Sequence, residues 1–244
     1  MKGISVIGAG NMGAALVRGF VGSGKAMPSD IRVYDVDPAK IRPLQEEFGI
    51  VAVEGLAQAI ESTTEIAIVA VKPQVMSPVL EEIAPHVKAG LILVSIAAGI
   101  STKFILSKVG AQAKVIRVMP NAPAMVAAGA AAICRAGDAN EQDLDIILDL
   151  FSSVGFAVAV DEKLMNVVTA LSGSGPGYLF AMMEAFTDGA VCMGLDRPTA
   201  RALTIETFLG AATMAASGGS FSELKDRITS PGGTTIAGLQ VMER

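Results

Sequence analysis

The chain of 244 residues contains no tryptophan, two tyrosines, two cysteines and one histidine. Each shortage removes a class of function. One histidine and two distant cysteines, Cys134 and Cys192, allow no cluster with metal-site spacing. The cysteines read as reduced, buried thiols and not as a disulfide framework. The histidine, His86, falls in "APHVKAG", a turn between a helix and a strand, and is expected to be a surface residue without a chemical role. "SGSGPG" at 172–177 lacks the spacing of a nucleophile elbow, and no histidine follows it to act as base, which disfavours acyl transfer. Basic runs with interleaved aromatics are missing too. Lys and Arg number 19 against 24 Asp and Glu, scattered singly, for a net charge of −5, so nucleic acid is not an expected partner. The longest uncharged stretch, 164–183, is of membrane length, but "SGSGPG" would break a spanning helix at its centre. Lys2 runs at once into "GISVIGAG" with no cleavage-site pattern, and a cytoplasmic protein off the membrane is expected.

What is present is apolar and glycine-rich: 51% hydrophobic residues and 26 glycines, in a chain long enough for one large or two modest domains. Short β-branched runs alternate with amphipathic segments through the first 160 residues. "GISVIG", "IRVYD", "EIAIVAV", "LILVSIA", "KVIRVM" and "AAAIC" read as strands; 11–22, 38–48 and 74–83 read as helices. That order predicts an α/β fold, a Rossmann-like doubly wound parallel sheet with right-handed crossovers over residues 1–161. The strand signal then stops. Helices are expected at 162–171, 176–193, 198–217, 221–228 and about 234–243, forming an all-α dimerisation domain over 162–244. Two of these helices, one reading "GYLFAMMEAFTDGAVCMG", lack a clear polar face. Such helices are normally buried on every side, and a domain this small cannot hide two of them. A partner subunit is expected to cover them.

"GAGNMG" places Gly8, Gly10 and Gly13 as G-x-G-x-x-G between the first strand and the first helix. Gly8 permits the tight turn, Gly10 the approach of a pyrophosphate, and Gly13 close packing of helix on strand. The phosphates then face the positive end of a helix dipole. Asp35 ends the second strand, where a carboxylate can accept hydrogen bonds from the adenosine ribose and would repel a 2′-phosphate. A reductase without histidine suits a substrate that needs no strong general acid. A cyclic imine can arrive protonated, and hydride transfer then neutralises charge, so positioning carries most of the catalysis. Near the end, "SPGGTT" at 230–235 precedes a short helix whose unpaired N–H groups could hold an anion.

"LSGSGPGYLF" at 171–180, "DGAVCMGLDRPTA" and "LKDRITSPGGTTIAGL" at 224–239 closely resemble the Δ1-pyrroline-5-carboxylate reductase family, as do "AVKPQ", "SIAAGI" and "VIRVMPNAPAMVAAG". The resemblance implies reduction of pyrroline-5-carboxylate to L-proline with NADPH or NADH by a homodimer or an assembly of dimers. By the same match, Ser230 and the N–H groups around Gly232, Gly233 and Thr234 bind the substrate carboxylate. Thr235 is the expected catalytic residue, orienting the iminium or relaying a proton; helix capping is the plainer role for Ser230 and Thr235. Asn11 and Met12 would lie against the cofactor phosphates, Val71, Lys72 and Pro73 beside the cofactor, and Ala97, Ala98 and Gly99 at the nicotinamide. No metal is implied.

Three departures stand out. Many members carry an arginine just after the second strand and an asparagine further on; Val36 and Leu56 stand there in this chain. With Asp35, these favour NADH slightly. The family also continues past "VMER" with another interface helix, so the chain is expected to be shortened. Two rival readings are a β-hydroxyacid dehydrogenase, through Lys163 and Asn166 in "KLMN", and a non-catalytic dinucleotide sensor. The first lacks the glycines expected before the lysine, and a shared fold does not fix function.

Overall fold

The computed structural model describes residues 3–63 and 65–243. The chain divides into two compact units between Pro176 and Gly177.

In the first unit the strands are β1 (Ile4–Ile7), β2 (Ile31–Tyr34), β3 (Val51–Ala52), β4 (Ile66–Val69), β5 (Ile92–Ser95), β6 (Lys114–Met119), β7 (Gly129–Gly137) and β8 (Gly155–Ala159). Among the described residues they form one eight-stranded sheet in the order β3-β2-β1-β4-β5-β6-β7-β8. Every position of β1, β4 and β5 is buried, as a sheet covered on both faces requires. On one face α1 (Asn11–Gly22) and α6 (Glu141–Phe151) bring Leu16, Phe20, Ile147 and Phe151 onto Ile4, Val6, Ile68 and Ile116. Phe20 and Phe151 meet edge to face at 5.9 Å. On the other face α3 (Leu56–Glu61), α4 (Met76–Ile83) and α5 (Thr102–Val109) cover Ala67, Val69, Leu93 and Val115 with Ile60, Leu80 and Ile105.

The sheet departs from the all-parallel expectation at β7, which pairs antiparallel with β6. Only residues 120–128 join the two strands, too few for a crossover with its helix. The sequence reading also missed the two-residue β3 and β8, an apolar run, GFAVA, that lies mostly exposed at the edge of the sheet.

Prolines set several helix boundaries. The helix expected over 38–48 is a 3₁₀ turn, Pro38–Lys40, and then α2 (Arg42–Phe48); that expected over 74–83 is a 3₁₀ turn, Pro73–Val75, and then α4. Pro43 and Pro78 lack the N–H groups that would continue an α-helix from the preceding turn. The expected helix 162–171 is replaced by a 3₁₀ turn (Glu162–Leu164), α7 (Met165–Val168) and a π-turn (Thr169–Gly173). Here Met165 is fully buried against Ala132 and Cys134 of β7.

The second unit continues α8 (Gly175–Cys192) and contains α9 (Arg197–Ala216), α10 (Phe221–Arg227) and α11 (Thr234–Met242). The Asp196 side chain caps α9 by accepting from the Thr199 N–H at 3.0 Å, and Ser220 and Glu223 close a capping box on α10. Phe186 and Phe208 meet edge to face at 5.4 Å, and the Thr187 and Thr204 hydroxyls lie 3.2 Å apart. Few other residues of these long helices are covered. Leu179, Phe180, Leu203 and Leu209 are exposed. Exposed apolar surfaces of this extent mark an interface. Among the described residues no helix is long and apolar enough to cross a membrane.

Candidate active site

The registers Ile7↔Tyr34, Ile7↔Val69 and Val69↔Ser95 align the carboxyl ends of β2, β1, β4 and β5. The loops leaving them are therefore neighbours, at the edge where ligands bind in open α/β sheets. Gly8 has φ +107°, and a Cβ there would lie 2.7 Å from the Ala70 carbonyl oxygen. Gly13 is equally confined, with its would-be Cβ 1.9 Å from the Gly8 carbonyl oxygen. Around Gly10, in contrast, the protein leaves 4 Å of open space. Asn11 begins α1 from the exposed side, while Met12 packs against the core. No side chain caps this helix, so its first N–H groups are free for phosphate.

Asp35 is tied in. Its carboxylate accepts from the Ala9 N–H at 2.7 Å and the Asp37 N–H at 2.9 Å, with the Lys40 ammonium at 3.4 Å. It thus clamps the glycine turn to the loop after β2, while Val36 projects into solvent. Val71 packs on the core, Lys72 is exposed, and Pro73 opens a 3₁₀ turn. Ala97 is buried, its N–H donating to Ser95 Oγ at 3.3 Å; Ala98 and Gly99 are exposed or nearly so. The cofactor-binding residues expected from the sequence are thus gathered on adjoining loops.

One partly buried group had no sequence signal, because Glu162 lies 45 and 60 positions from its two partners. The Glu162 carboxylate accepts from the Thr102 N–H at 2.7 Å, the Thr102 hydroxyl at 2.5 Å and the Arg117 guanidinium at 3.2 Å. Burial pushes the Glu162 pKa up, but the Thr102 bonds and Arg117 outweigh it and hold the group below its ordinary value. The Glu162 carboxylate also satisfies a free donor in the first turn of α5. Cys134 pairs with Arg117 across β6 and β7, and burial, with the Glu162 charge, pushes its thiol up to about 11. It stays protonated and unreactive at neutral pH.

In the helical unit, "SPGGTT" is a tight loop onto α11. The Gly233 N–H donates to the Ser230 carbonyl at 3.0 Å, and Gly232 has φ +68°. Gly233 is the cap residue of α11 and no side chain caps that end. Ser230 and Thr234 are exposed and Thr235 is half-buried. Simple capping by Ser230 or Thr235 is therefore not what this loop does. It presents uncapped N–H groups and the hydroxyls of Ser230, Thr234 and Thr235 at the positive end of a nine-residue helix. His86, in a 3₁₀ turn after α4, bonds Glu61 at 2.8 Å, well away from both groups of residues in the sequence.

Against known proteins, residues 162–244 match a family model described as pyrroline-5-carboxylate reductase dimerisation. Residues 3–99 match one described as NADP oxidoreductase coenzyme F420-dependent. The chain is 42% identical to a pyrroline-5-carboxylate reductase of Methanosarcina acetivorans, covering 98% of this chain and 89% of that one. It is 37% identical to that of Escherichia coli, covering 99% and 90%. Among solved structures, a pyrroline-5-carboxylate reductase from Coxiella burnetii superposes with a TM-score of 0.93 at 32% identity, over 99% of this chain and 90% of that chain. A Plasmodium falciparum pyrroline carboxylate reductase with NADP bound gives 0.89 at 29%, over 99% and 89%.

Proposed function

The chain belongs to the pyrroline-5-carboxylate reductase family, and from that premise we infer that it reduces Δ1-pyrroline-5-carboxylate to L-proline by hydride transfer from NAD(P)H. This is the closing step of proline biosynthesis, carried out by a homodimer or an assembly of dimers in the cytoplasm. The observation that carries the reading is the uncapped start of α11, shaped by "SPGGTT" into an anion cradle. The substrate is a small carboxylate with a cyclic imine, and the chain offers no histidine there to act as acid.

In this reading the first unit holds the dinucleotide. Gly8, Gly10, Asn11, Met12 and Gly13 cradle the pyrophosphate, Asp35 receives the adenosine ribose, and Val71, Lys72, Pro73, Ala97, Ala98 and Gly99 line the rest. When bound, the dinucleotide supplies the hydride. The second unit binds the substrate carboxylate through Ser230, the Gly232–Gly233 turn with the N–H groups of Gly232 and Thr234, and the Thr235 hydroxyl, the Gly233 N–H holding the turn closed on the Ser230 carbonyl. Both binding sets rely on backbone donors at helix starts, which are fixed before the ligand arrives and cost little reorganisation. Thr235 orients the imine or relays its proton.

The charge around the ribose favours NADH. Asp35 and Asp37 lie together after β2, Val36 offers no cation to a 2′-phosphate, and Lys40 is already drawn to Asp35. Phosphate there would face a carboxylate held in place by two backbone N–H groups.

Thr235→Ala tests the catalytic assignment. Its kcat is expected to fall by about one to two orders of magnitude, a modest acid–base effect, with the dinucleotide Kd unchanged. Unchanged kcat would remove Thr235 from the chemistry.

A further inference from the structure

The π-turn at Thr169–Gly173 has a cause in the sequence. Its i→i+5 pattern includes the Ser174 N–H donating to the Thr169 carbonyl at 2.8 Å. In an α-helix the Ser172 carbonyl would accept from residue 176. That residue is Pro176, which has no N–H and whose ring clashes with the carbonyl four residues earlier. Widening the helix to a π-turn relieves the clash but leaves the Ser172 oxygen short of its donor. A buried carbonyl without one costs roughly 1–3 kcal/mol.

Asn121 supplies the donor. It lies two residues past the end of β6, is 9% exposed, and donates from Nδ2 to the Ser172 carbonyl at 3.0 Å. Its Oδ1 accepts from the Ala130 N–H at the start of β7, at 2.8 Å. One amide thus joins the exit of β6, the entry of β7 and the π-turn. Gly173 fits tightly in the same place: a Cβ there would fall 2.6 Å from the Met119 methyl group. The side chain of Ser172 is satisfied separately, donating to the Val168 carbonyl at 3.1 Å.

We propose that Asn121 is a positioning residue for the reaction: its amide replaces the N–H that Pro176 lacks and so latches the π-turn in a single conformation. The turn is the segment through which the chain passes into the helices that bear the carboxylate loop. π-turns of this kind recur at functional sites, and a reacting group misplaced by about 1 Å can lose on the order of a hundredfold in rate. The kinetic part of the inference rests on the proposed reductase function; the latch itself does not.

A double-mutant cycle tests it. Pro176→Ala returns a backbone N–H to residue 176, giving the Ser172 carbonyl a donor independent of Asn121. Asn121→Ala alone is expected to lower kcat/KM for pyrroline-5-carboxylate by about tenfold to a hundredfold, while the Kd for NADPH, read from its fluorescence, moves less than about twofold. Asn121→Asp keeps an acceptor for Ala130 and sets a carboxylate oxygen against the Ser172 carbonyl in place of the donor, so it gives a loss at least as large even if the alanine variant fails to fold. In the Pro176→Ala background, Asn121→Ala is expected to cost less than about threefold. Denaturation midpoints of the four proteins in the alanine cycle (wild type, Asn121→Ala, Pro176→Ala and the double variant) show the same coupling without any need for turnover. Equal losses in both backgrounds overturn the latch. Coupled midpoints with unaltered kcat/KM, or with NADPH binding lost in step, overturn the positioning role. A wild-type protein that does not turn over removes the proposed reductase function, and the midpoints still decide the latch.

Discussion

Gly10→Ser is expected to abolish tight dinucleotide binding while leaving the fold as stable as before. The backbone at Gly10 is extended, with φ −67° and ψ −176°, and nothing lies within 4 Å of the Cβ that serine would add. Serine is also a better cap than glycine for the helix that begins at Asn11. The free protein therefore loses nothing and can gain a few tenths of a kcal/mol. The same side chain occupies the space through which the pyrophosphate must approach, and its hydroxyl competes for the first N–H groups of α1. Overpacking of this sort costs roughly 1–3 kcal/mol, or about tenfold to a hundredfold in Kd, before the lost phosphate bonds are counted. Calorimetric titration with NADH beside a thermal melt measures both quantities. Gly13→Ala makes the contrast, because its Cβ would lie 1.9 Å from the Gly8 carbonyl oxygen; it is expected to lower the melting temperature as well. A Gly10→Ser protein that binds dinucleotide normally would place the cofactor elsewhere.

The second large effect concerns the carboxylate loop. Gly232 has φ +68°, a region that a β-branched residue enters only with strain, and no neighbour lies within 4 Å of its missing Cβ. Gly232→Val therefore meets no clash and acts through the backbone alone, at about 1–3 kcal/mol. The loop relaxes away from the conformation that points its N–H groups at one spot. The KM for pyrroline-5-carboxylate is expected to rise about tenfold to a hundredfold, with the dinucleotide Kd unchanged. Gly233→Ala is a milder companion: its Cβ would fall 2.4 Å from Ser230 Oγ, which can rotate aside. A KM for Gly232→Val equal to that of the wild type would separate substrate binding from this loop.

Much of the fold was legible because it rests on local patterns. The runs that became β1, β4 and β5 are apolar except for Ser5 and Ser95, and that pattern points to burial of both their faces. The glycine turn was readable for the same reason, since spacing within six residues fixes the geometry at Gly8 and Gly13. β8 escaped although its run, GFAVA, is apolar throughout, and β7 was read as parallel because its own sequence says nothing of direction. Direction was set by the short connection from β6.

Contacts between distant residues were not legible. Nothing near Glu162 announces that it will bond Thr102 and Arg117, and nothing near Asn121 announces that it will serve a carbonyl 51 positions later. Pro176 was visible in "SGSGPG", yet only the structure shows the carbonyl that it deprives. The carboxylate loop falls between these cases. Its glycines and its place before a helix were plain, and the family resemblance gave it a ligand. The helical unit also leaves a requirement unmet in one subunit, the apolar faces of α8 and α9.

The most direct test is turnover of pyrroline-5-carboxylate by the purified chain, followed as loss of nicotinamide absorbance with NADH and, separately, NADPH. Oxidation with both, at a higher kcat/KM for NADH, is the result expected from the SPGGTT cradle and the Asp35–Val36 ribose site. Dinucleotide binding without oxidation of either cofactor would contradict the central claim.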